Sequence, residues 1–417
     1  MSTKNAKKLL IIGYVWPEPG SSAAGSRMMQ LISIFREYGW QITFVSSAAE
    51  SEHAEDLKAL GIDTATVQIN DSSFNTFINN LDPDAVLFDR FVVEEQFGWR
   101  VAEECPRALR ILDSEDLHCL RRARKKAVGQ NREFEQTDLL ADEVAKREVA
   151  SIYRCDLSLI ISEFEMDLLT HLFRVDDALL HYLPFMLDPI SEEETHQWPT
   201  FEERKHFMTI GNFRHPPNWD SVRYLREKIW PRIRAKLPDA ELHIYGAYPS
   251  QKVTDLHRPE DGFHIEGRAA DARTVIQQAR VMLAPLRFGA GLKGKLIEAM
   301  QYGTPSITTA IGAEGIQGKL PWGGAIVEEP EAIAKAAVEL YVNKKMWQQA
   351  QQRGVTILNQ RFGDIDFTAG FIERIRKIGD HLNEHRLQNF TGSMLLHHTA
   401  ASTRYMAKWI EAKNRST

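Results

Sequence analysis

This sequence has few cysteines, no long apolar run and no large excess of one charge. The three cysteines, Cys105, Cys119 and Cys155, are far apart and form no C-x-x-C pair. This excludes a disulfide framework and a cysteine zinc site, and it is typical of buried residues in a reducing compartment. No run of about 18 apolar residues occurs, which excludes a membrane-spanning helix. Residues 1–8 lack the apolar segment of a secretory signal, so we expect a cytoplasmic protein.

The charge balance excludes a further class of protein. The chain has 51 basic and 57 acidic residues, a formal net charge of −6. This argues against a protein whose whole surface binds nucleic acid, although it leaves room for a local basic patch. The 417 residues are 43% hydrophobic and 26% charged. Such a length and composition predict an ordinary globular protein of two to three domains.

Apolar segments alternate with helical ones along most of the chain. Leu9–Ile12 is apolar throughout, as strands buried on both faces of a parallel sheet are, and a loop, a helix ending before Gly39 and the strand Gln41–Val45 follow it. The alternation starts again after an acidic, proline-containing stretch. We therefore predict an α/β protein with a doubly wound, Rossmann-like domain over residues 1–185, a linker over 186–204, a second such domain over 205–365 and helices over 366–417.

The most informative segment is a glycine-rich loop between a predicted strand and a predicted helix. It contains Gly289, Gly291 and Gly294, together with Lys293, Lys295 and, about one helical turn later, Glu298. Backbone amides at a helix N-terminus and two lysines can neutralise a diphosphate, and a carboxylate can accept hydrogen bonds from ribose hydroxyls. This combination favours a nucleotide-sugar site.

Three other interpretations of the same loop stay open. The segment 289–294 is formally G-x-G-x-x-G, with Glu314 at the distance where dinucleotide-binding folds place a ribose carboxylate, although the loop does not follow the first strand of its domain. The segment 289–295 is also a Walker A sequence in which Leu296 replaces the hydroxyl residue that holds Mg²⁺. Finally, the loop can be a tight strand-to-helix connection with solvated lysines.

Several segments together resemble one enzyme family. Segment 281–316, segment 210–218 (I-G-N-F-R-H-P-P-N), segment 113–118 (D-S-E-D-L-H) and segment 162–165 (S-E-F-E) are similar to motifs of GT-B glycosyltransferases of family 4, most of all to a retaining subgroup with a G-A-G-x-K-G-K loop. The resemblance implies two Rossmann-like domains facing across a cleft, with the last helices returning to the first domain. It implies a donor site formed by Gly211, Asn212, Phe213, Gly289, Gly291, Leu292, Lys293, Lys295 and Glu298.

The sequence departs from the wider family at one position. Many retaining members carry two glutamates separated by seven residues; with Glu298 as the second, Ala290 stands at the first. This departure leaves the identity of the donor sugar open.

The acceptor is expected on the first domain. The loop after the first strand offers small residues at the carboxyl edge of the sheet, and its candidates are Gly20, Ser21, Ser22 and Arg27, unless it is only a flexible helix cap. Asp116 and His118 follow another strand, and we predict that they take part in catalysis. Arg122, Lys125 and Lys126 belong to a basic run that either attracts an anionic acceptor or is a solvated helix face.

These inferences predict a hexosyltransferase that uses a nucleotide-diphosphate sugar, retains the anomeric configuration and needs no metal and no cofactor. The acceptor is left open among a glycan, a lipid-linked sugar, a protein and RNA. Peripheral contact with an anionic surface at the inner face of the membrane fits the basic run. The alternatives are a non-catalytic nucleotide-sugar-binding protein and an NAD-dependent or epimerase-type enzyme.

Overall fold

The structure, a computed structural model, describes residues 6–363 and 365–415. Within these residues the strands form two separate sheets. The strands of the first sheet are β1 (Lys8–Gly13), β2 (Gln41–Ser46), β3 (Asp63–Thr66), β4 (Ala85–Asp89), β5 (Leu109–Asp113), β6 (Leu157–Ile160) and β7 (Leu180–Tyr182). The strands of the second sheet are β8 (Lys205–Ile210), β9 (Leu242–Tyr245), β10 (Phe263–Gly267), β11 (Ala279–Ala284), β12 (Ser306–Thr308) and β13 (Gly324–Ile326).

Both sheets are parallel and doubly wound. The first has the order β3-β2-β1-β4-β5-β6-β7, and the second has the order β10-β9-β8-β11-β12-β13. In each sheet the strand order reverses beside the first strand, between β1 and β4 and between β8 and β11. Such a switch point opens a crevice at the carboxyl ends of the strands, where ligands of α/β proteins bind. The predicted fold class, two Rossmann-like domains, is confirmed.

Helices connect the strands and cover both faces of each sheet. Those of the first domain are α1 (Ala23–Glu37), α2 (Ser73–Leu81), α3 (Phe91–Glu104), α4 (His118–Gly129), α5 (Gln136–Leu140), α6 (Glu143–Arg154) and α7 (Glu163–Asp167). Those of the linker and second domain are α8 (Glu192–His196), α9 (Pro216–Tyr224), α10 (Trp230–Arg234), α11 (Gln251–Thr254), α12 (Ala272–Gln278), α13 (Gly294–Gln301), α14 (Ala310–Ala313), α15 (Pro330–Val342) and α16 (Lys344–Leu358). A π-helical turn, Leu225–Ile229, joins α9 to α10.

The chain ends in three helices: α17 (Phe367–Asp380), α18 (Leu382–Gln388) and α19 (Phe390–Arg415). Phe371, Ile375 and Ile378 of α17 are buried in the core of the first domain, where Phe371 contacts the ring of Phe35 at a centroid distance of 5.7 Å. The chain therefore crosses back from the second domain to the first. The segment that connects the two sheets packs against the second domain, because its Trp198 lies in the core of that domain.

Each sheet separates two apolar cores, because successive side chains of its buried strands point to opposite faces. Leu10 and Ile12 face the core beneath α3 and α6, whereas Leu9 and Ile11 face the core beneath α1 and α17. The three cysteines are free and buried. Among the described helices, none is long and apolar enough to cross a membrane.

Candidate functional site

A cavity of about 860 Å³ lies between the two domains. Its walls come from the carboxyl ends of β1, β4 and β5 in the first domain and of β8, β9, β10 and β11 in the second. The two switch points of the sheets therefore face each other across one space. A cavity of this size can enclose most of a small organic ligand.

The glycine-rich loop forms the wall of the second domain. It follows β11 and ends where α13 begins at Gly294, so the first amides of this helix are directed to the cavity. A Cβ atom at Gly294 would lie 2.6 Å from the Cβ of Ala23, at the start of α1 in the other domain. Glycine at this position thus permits the N-termini of two helices, one from each domain, to approach closely. Both helix ends favour negative charge nearby.

Two lysines of this loop lie in the cavity wall, Lys293 buried and Lys295 half-buried. The ammonium of Lys293 donates a hydrogen bond of 2.7 Å to the carbonyl of Gly291, and that of Lys295 donates one of 2.7 Å to the side-chain oxygen of Asn218. Burial lowers the pKa of each lysine to about 8. Both side chains therefore carry a positive charge at neutral pH that is poorly solvated, a state that an anionic ligand would stabilise.

Glu298 lies three residues after Lys295 on α13 and also lines the cavity. Burial raises the pKa of its carboxyl group, and the nearby charge of Lys295 opposes this shift. A carboxylate at this place can accept hydrogen bonds from the hydroxyl groups of a ligand.

Asp116 and His118 face this wall from the first domain. The carboxylate of Asp116 forms an ion pair with Arg121, and it lies 3.5 Å from Nε2 of His118. Although burial opposes ionisation, the positive charge of Arg121 holds the pKa of Asp116 well below its usual range. Burial lowers the pKa of His118 to about 4, against the attraction of Asp116. At neutral pH the site thus contains a charged aspartate and a neutral histidine.

Two buried glutamates hold this loop in place. Glu148 of α6 accepts hydrogen bonds of 2.9 Å from the backbone N–H groups of His118 and Cys119, the first residues of α4. Glu165 of α7 accepts hydrogen bonds from the N–H of Leu117, at 2.9 Å, and from the N–H of Gly291, at 2.8 Å. Glu165 therefore connects the Asp116 loop of one domain to the glycine-rich loop of the other.

Gly291 is required by this connection. Its φ angle is +61°, in the left-handed region that favours glycine, and a Cβ atom there would lie 2.8 Å from the Cβ of Asp116. The predicted role of Gly291 in donor binding would thus be indirect, because its backbone supports the two loops and is not itself part of the cavity lining.

Further contacts join the domains around the cavity. The Tyr248 hydroxyl donates to both oxygens of Glu18, at 2.8 and 2.9 Å. Arg124 forms an ion pair with Glu314 at 2.7 Å. Glu314 lies outside the cavity lining and is bound to this arginine, so it is not available to a ribose there. This finding weakens the dinucleotide interpretation of the glycine-rich loop.

The structure brings many of the predicted residues to the cavity and separates others from it. The lining includes Gly20, Ser21, Ser22, Asp116, His118, Gly211, Asn212, Gly289, Leu292, Lys293, Lys295 and Glu298. Phe213 lies beneath the lining, in the core, where its ring packs against Gly246.

Four predicted acceptor residues lie away from the cavity. Arg27 is fully buried, and its guanidinium is bonded to Asp113 at 2.9 Å and to the carbonyl of Leu183 at 2.7 Å, so it holds the first domain together and does not face a ligand. The other three, Arg122, Lys125 and Lys126, are exposed on α4 outside the cavity lining, and Arg122 is 3.6 Å from Asp142.

Several polar residues of the lining have no role predicted from the sequence, and Arg90, Glu115 and His215 are three of them. Arg90 follows β4 with a φ angle of +73°, and its guanidinium lies 5.1 Å from the ring centre of Tyr14. Burial and the charge of Asp113 raise the pKa of Glu115 to about 8. Burial lowers the pKa of His215, which precedes α9, to about 3. The rule that ligands bind beyond the carboxyl ends of strands, if applied to β4 as well as to β1 and β5, would have indicated Arg90.

Comparison with known proteins agrees with this architecture. Residues 204–343 match the family model described as group 1 glycosyl transferases. None of the curated proteins gives a significant match to the chain. Among solved structures, the chain is similar to sucrose-phosphate synthase from Thermosynechococcus elongatus, with 14% identity, a TM-score of 0.65 and coverage of 89% of this chain and 99% of that one.

Two further structures are similar over comparable lengths. A TarM variant from S. aureus, solved with UDP, has 9% identity and a TM-score of 0.66, and the match covers 89% of this chain and 99% of that one. HepE from Anabaena, solved with UDP and glucose, has 13% identity and a TM-score of 0.62, with the same two coverages. At these identities the likeness establishes the fold, which is GT-B. Because its second domain matches the group 1 model, the chain is a glycosyltransferase.

Proposed function

We propose that this chain transfers a hexose-type sugar from a nucleotide-diphosphate sugar to an acceptor, with retention of the anomeric configuration and without a metal ion. The observation that carries the proposal is the arrangement of the cavity, in which Lys293, Lys295 and Glu298 on one wall face Asp116 and His118 on the other. We also propose that the chain belongs to the subgroup of family 4 glycosyltransferases whose donor loop reads G-A-G-x-K-G-K.

The donor would bind to the second domain. The amides at the start of α13 and the ammonium groups of Lys293 and Lys295 provide positive charge for a diphosphate, both as it binds and as it departs. Since these groups can stabilise the leaving diphosphate directly, no metal ion is needed for that task. Glu298 would accept hydrogen bonds from the ribose hydroxyl groups. Nucleoside diphosphate in the HepE and TarM structures supports the choice of donor class.

The acceptor would enter from the first domain, beside Gly20, Ser21 and Ser22. His118 is neutral at neutral pH, so its imidazole can accept a hydrogen bond from a sugar hydroxyl group near the reacting carbon. Asp116 orients this ring and adds negative charge on the side where positive charge develops on the sugar. Ala290, at the position of the first family glutamate, leaves more room and one carboxylate fewer near the sugar.

The contacts between the domains support transfer over hydrolysis. Glu165 with Gly291, Arg124 with Glu314 and Tyr248 with Glu18 hold the two domains together beside the cavity. A closed cavity excludes water, which would otherwise react with the donor.

The test is an assay of the purified chain with a panel of nucleotide sugars, in EDTA, with simple glycosides and lipid-linked sugars as acceptors. We expect release of nucleoside diphosphate with one donor in preference to the others, and a product whose anomeric configuration, read by NMR, equals that of the donor. Binding of a nucleotide sugar without release or transfer in any combination would instead support a non-catalytic binding protein. Strict dependence on added divalent metal would overturn the metal-free part of the proposal.

A further inference from the structure

Three histidines lie side by side on one face of the second sheet. His206, His243 and His264 stand near the beginning of β8, β9 and β10, and their rings follow one another at centroid distances of 4.2 Å and 4.8 Å. His243 and His264 are stacked with an interplanar angle of 10°. Their neighbours in sequence, such as Leu242 and Phe263, point into the core on the opposite face. The imidazoles therefore form a row on the face that this core does not use.

One carboxylate faces two of these rings. Oε2 of Glu241 lies 3.3 Å from Nε2 of His243, and Oε1 lies 3.9 Å from Nε2 of His264. One ligand atom from each of the three residues lies within 4.8 Å of the others. Nε2 of His264 is buried, and it has no hydrogen-bond partner among the described residues. A buried nitrogen without a partner is costly unless something else binds it.

A second carboxylate fixes the orientation of the central ring. Nδ1 of His243 lies 2.6 Å from Oε1 of Glu266. A histidine whose Nδ1–H donates to a carboxylate directs the lone pair of Nε2 outward, here toward Glu241. This carboxylate–histidine arrangement recurs at protein metal sites, where it sets the tautomer and increases the basicity of the ligand.

We propose that Glu241, His243 and His264 bind one divalent transition-metal ion of the zinc class. Two imidazole nitrogens and one carboxylate oxygen suit such an ion, whereas Mg²⁺ and Ca²⁺ favour sites made of oxygen alone. Ligand bonds of about 2.0–2.2 Å in a tetrahedral shell place ligand atoms about 3.3–3.6 Å apart. The contact of 3.3 Å already fits. The contact of 3.9 Å involves the other oxygen of Glu241, and the three ligand atoms lie within 4.8 Å of one another, so metal binding would draw the side chains together by up to about 1 Å. Water completes the shell.

This site is distinct from the cavity between the domains. The cavity is lined by residues at the carboxyl ends of the same strands, such as Gly211, Gly246 and Arg268. His243 precedes Gly246 by three residues of extended chain, which is about 10 Å. The metal site therefore does not depend on the proposed sugar transfer, and neither result decides the other.

The experiment measures binding of Zn²⁺ to the full-length protein after removal of metal with a chelator. We expect one ion per chain by equilibrium dialysis, a rise in the melting temperature on addition of Zn²⁺, and visible absorption of four-coordinate Co²⁺ when Co²⁺ is used as the probe. Glu241→Gln and His264→Ala should each weaken Zn²⁺ binding at least 100-fold. Glu266→Gln, which removes the positioning residue, should weaken it about 10- to 100-fold and keep the stoichiometry of one.

A matched control uses a histidine outside the cluster. His171 is exposed and far along the chain from the second sheet, so His171→Ala should bind Zn²⁺ as the wild type does. Glu241→Gln keeps the size of the side chain, and its melting temperature without metal shows whether it folds. The proposal is overturned if the wild type has no saturable site, or if a folded Glu241→Gln or His264→Ala variant retains wild-type affinity.

Discussion

Arg124 of the first domain and Glu314 of the second form a two-pronged ion pair between the domains. The two N–H···O distances are 2.8 Å and 2.7 Å, and both side chains are largely shielded from water. One nitrogen of the same guanidinium also donates to the carbonyl of Gly289 at 2.9 Å. A single arginine of α4 thus binds the start of the glycine-rich loop and the segment after α14, so it couples the relative position of the domains to the shape of the loop.

Loss of this pair should loosen the closed arrangement of the domains. Arg124→Ala leaves Glu314 partly buried without its partner, an effect of about 3–5 kcal/mol for buried pairs. We expect a lower melting temperature and a larger radius of gyration by X-ray scattering. Arg132→Ala is the matched control, because it removes an exposed pair with Asp138 within the first domain. An unchanged radius and melting temperature in Arg124→Ala would contradict this role.

Nucleotide affinity should depend on Lys295 and Glu298. If they bind a phosphate oxygen and ribose hydroxyl groups, substitution of either by Ala removes a charge-assisted hydrogen bond worth about 1.5–3 kcal/mol, or roughly ten- to a hundredfold in affinity. Calorimetry with UDP measures the change, and Lys319→Ala, at an exposed lysine, serves as control. UDP bound equally well by both folded variants would refute this location of the donor.

Binding of a diphosphate should weaken above about pH 8. Burial lowers the pKa of Lys293 and Lys295 to about 8, so in the free protein their positive charge is present below this pH and is lost as the pH rises through it. Lys295→Arg keeps a charge throughout the range and should flatten part of the decline. The measurement is the affinity for inorganic diphosphate from pH 6.5 to 9.5. A flat wild-type profile would show that neither lysine contacts the phosphates.

His118 should affect turnover and not donor binding. His118→Ala should leave UDP affinity nearly unchanged and lower the transfer rate by about 10²-fold or more, since the imidazole would act on the reacting sugar from the opposite domain. The pKa of His118 is about 4, so the imidazole is neutral from about pH 5 upward. Protonation of His118 should therefore not lower the transfer rate above about pH 5. A wild-type rate in His118→Ala would remove it from catalysis.

The stabilising contribution of Glu165 to the folded state should be lost as the pH rises. Burial and the charge of Asp116 raise the pKa of Glu165 to about 8 from an ordinary value of 4.5. The folded state therefore binds the proton more tightly than the unfolded state, and the resulting stability, complete below about pH 4.5, is lost as the pH rises to about 8. The melting temperature of Glu165→Gln should fall less steeply over pH 5–8 than that of the wild type. Parallel curves would contradict this assignment.

Sequence pattern predicted the central strands well because these are apolar on both faces. The predicted strands Leu9–Ile12 and Gln41–Val45 differ from β1 and β2 by one residue at most at each end. The short strands β3, β7 and β13 were missed. They lie at or near sheet edges, where one side of the strand has no partner and the sequence is short or polar, as in D-T-A-T of β3.

The site was predicted only where its residues are close in sequence. The glycine-rich loop and the Asp116–His118 segment carry compact patterns, whereas the histidine row comes from three strands about 20 or more residues apart and has no local spacing to find. Arg27 was misjudged for a related reason. It directly follows loop residues that line the cavity, but its side chain is buried against Asp113, which lies 86 residues away in sequence.

The return of α17 to the first domain also determines the order in which the two domains can complete their apolar cores during synthesis. Phe371, Ile375 and Ile378 fill the core beneath α1 in the first domain, and they belong to a segment that leaves the ribosome after all of β8 to β13. The amino-terminal domain is made first, yet it lacks part of its apolar interior until nearly the whole chain has emerged. The second domain can therefore close before the first, and a nascent chain stalled near residue 363 would expose an unfilled apolar face to chaperones.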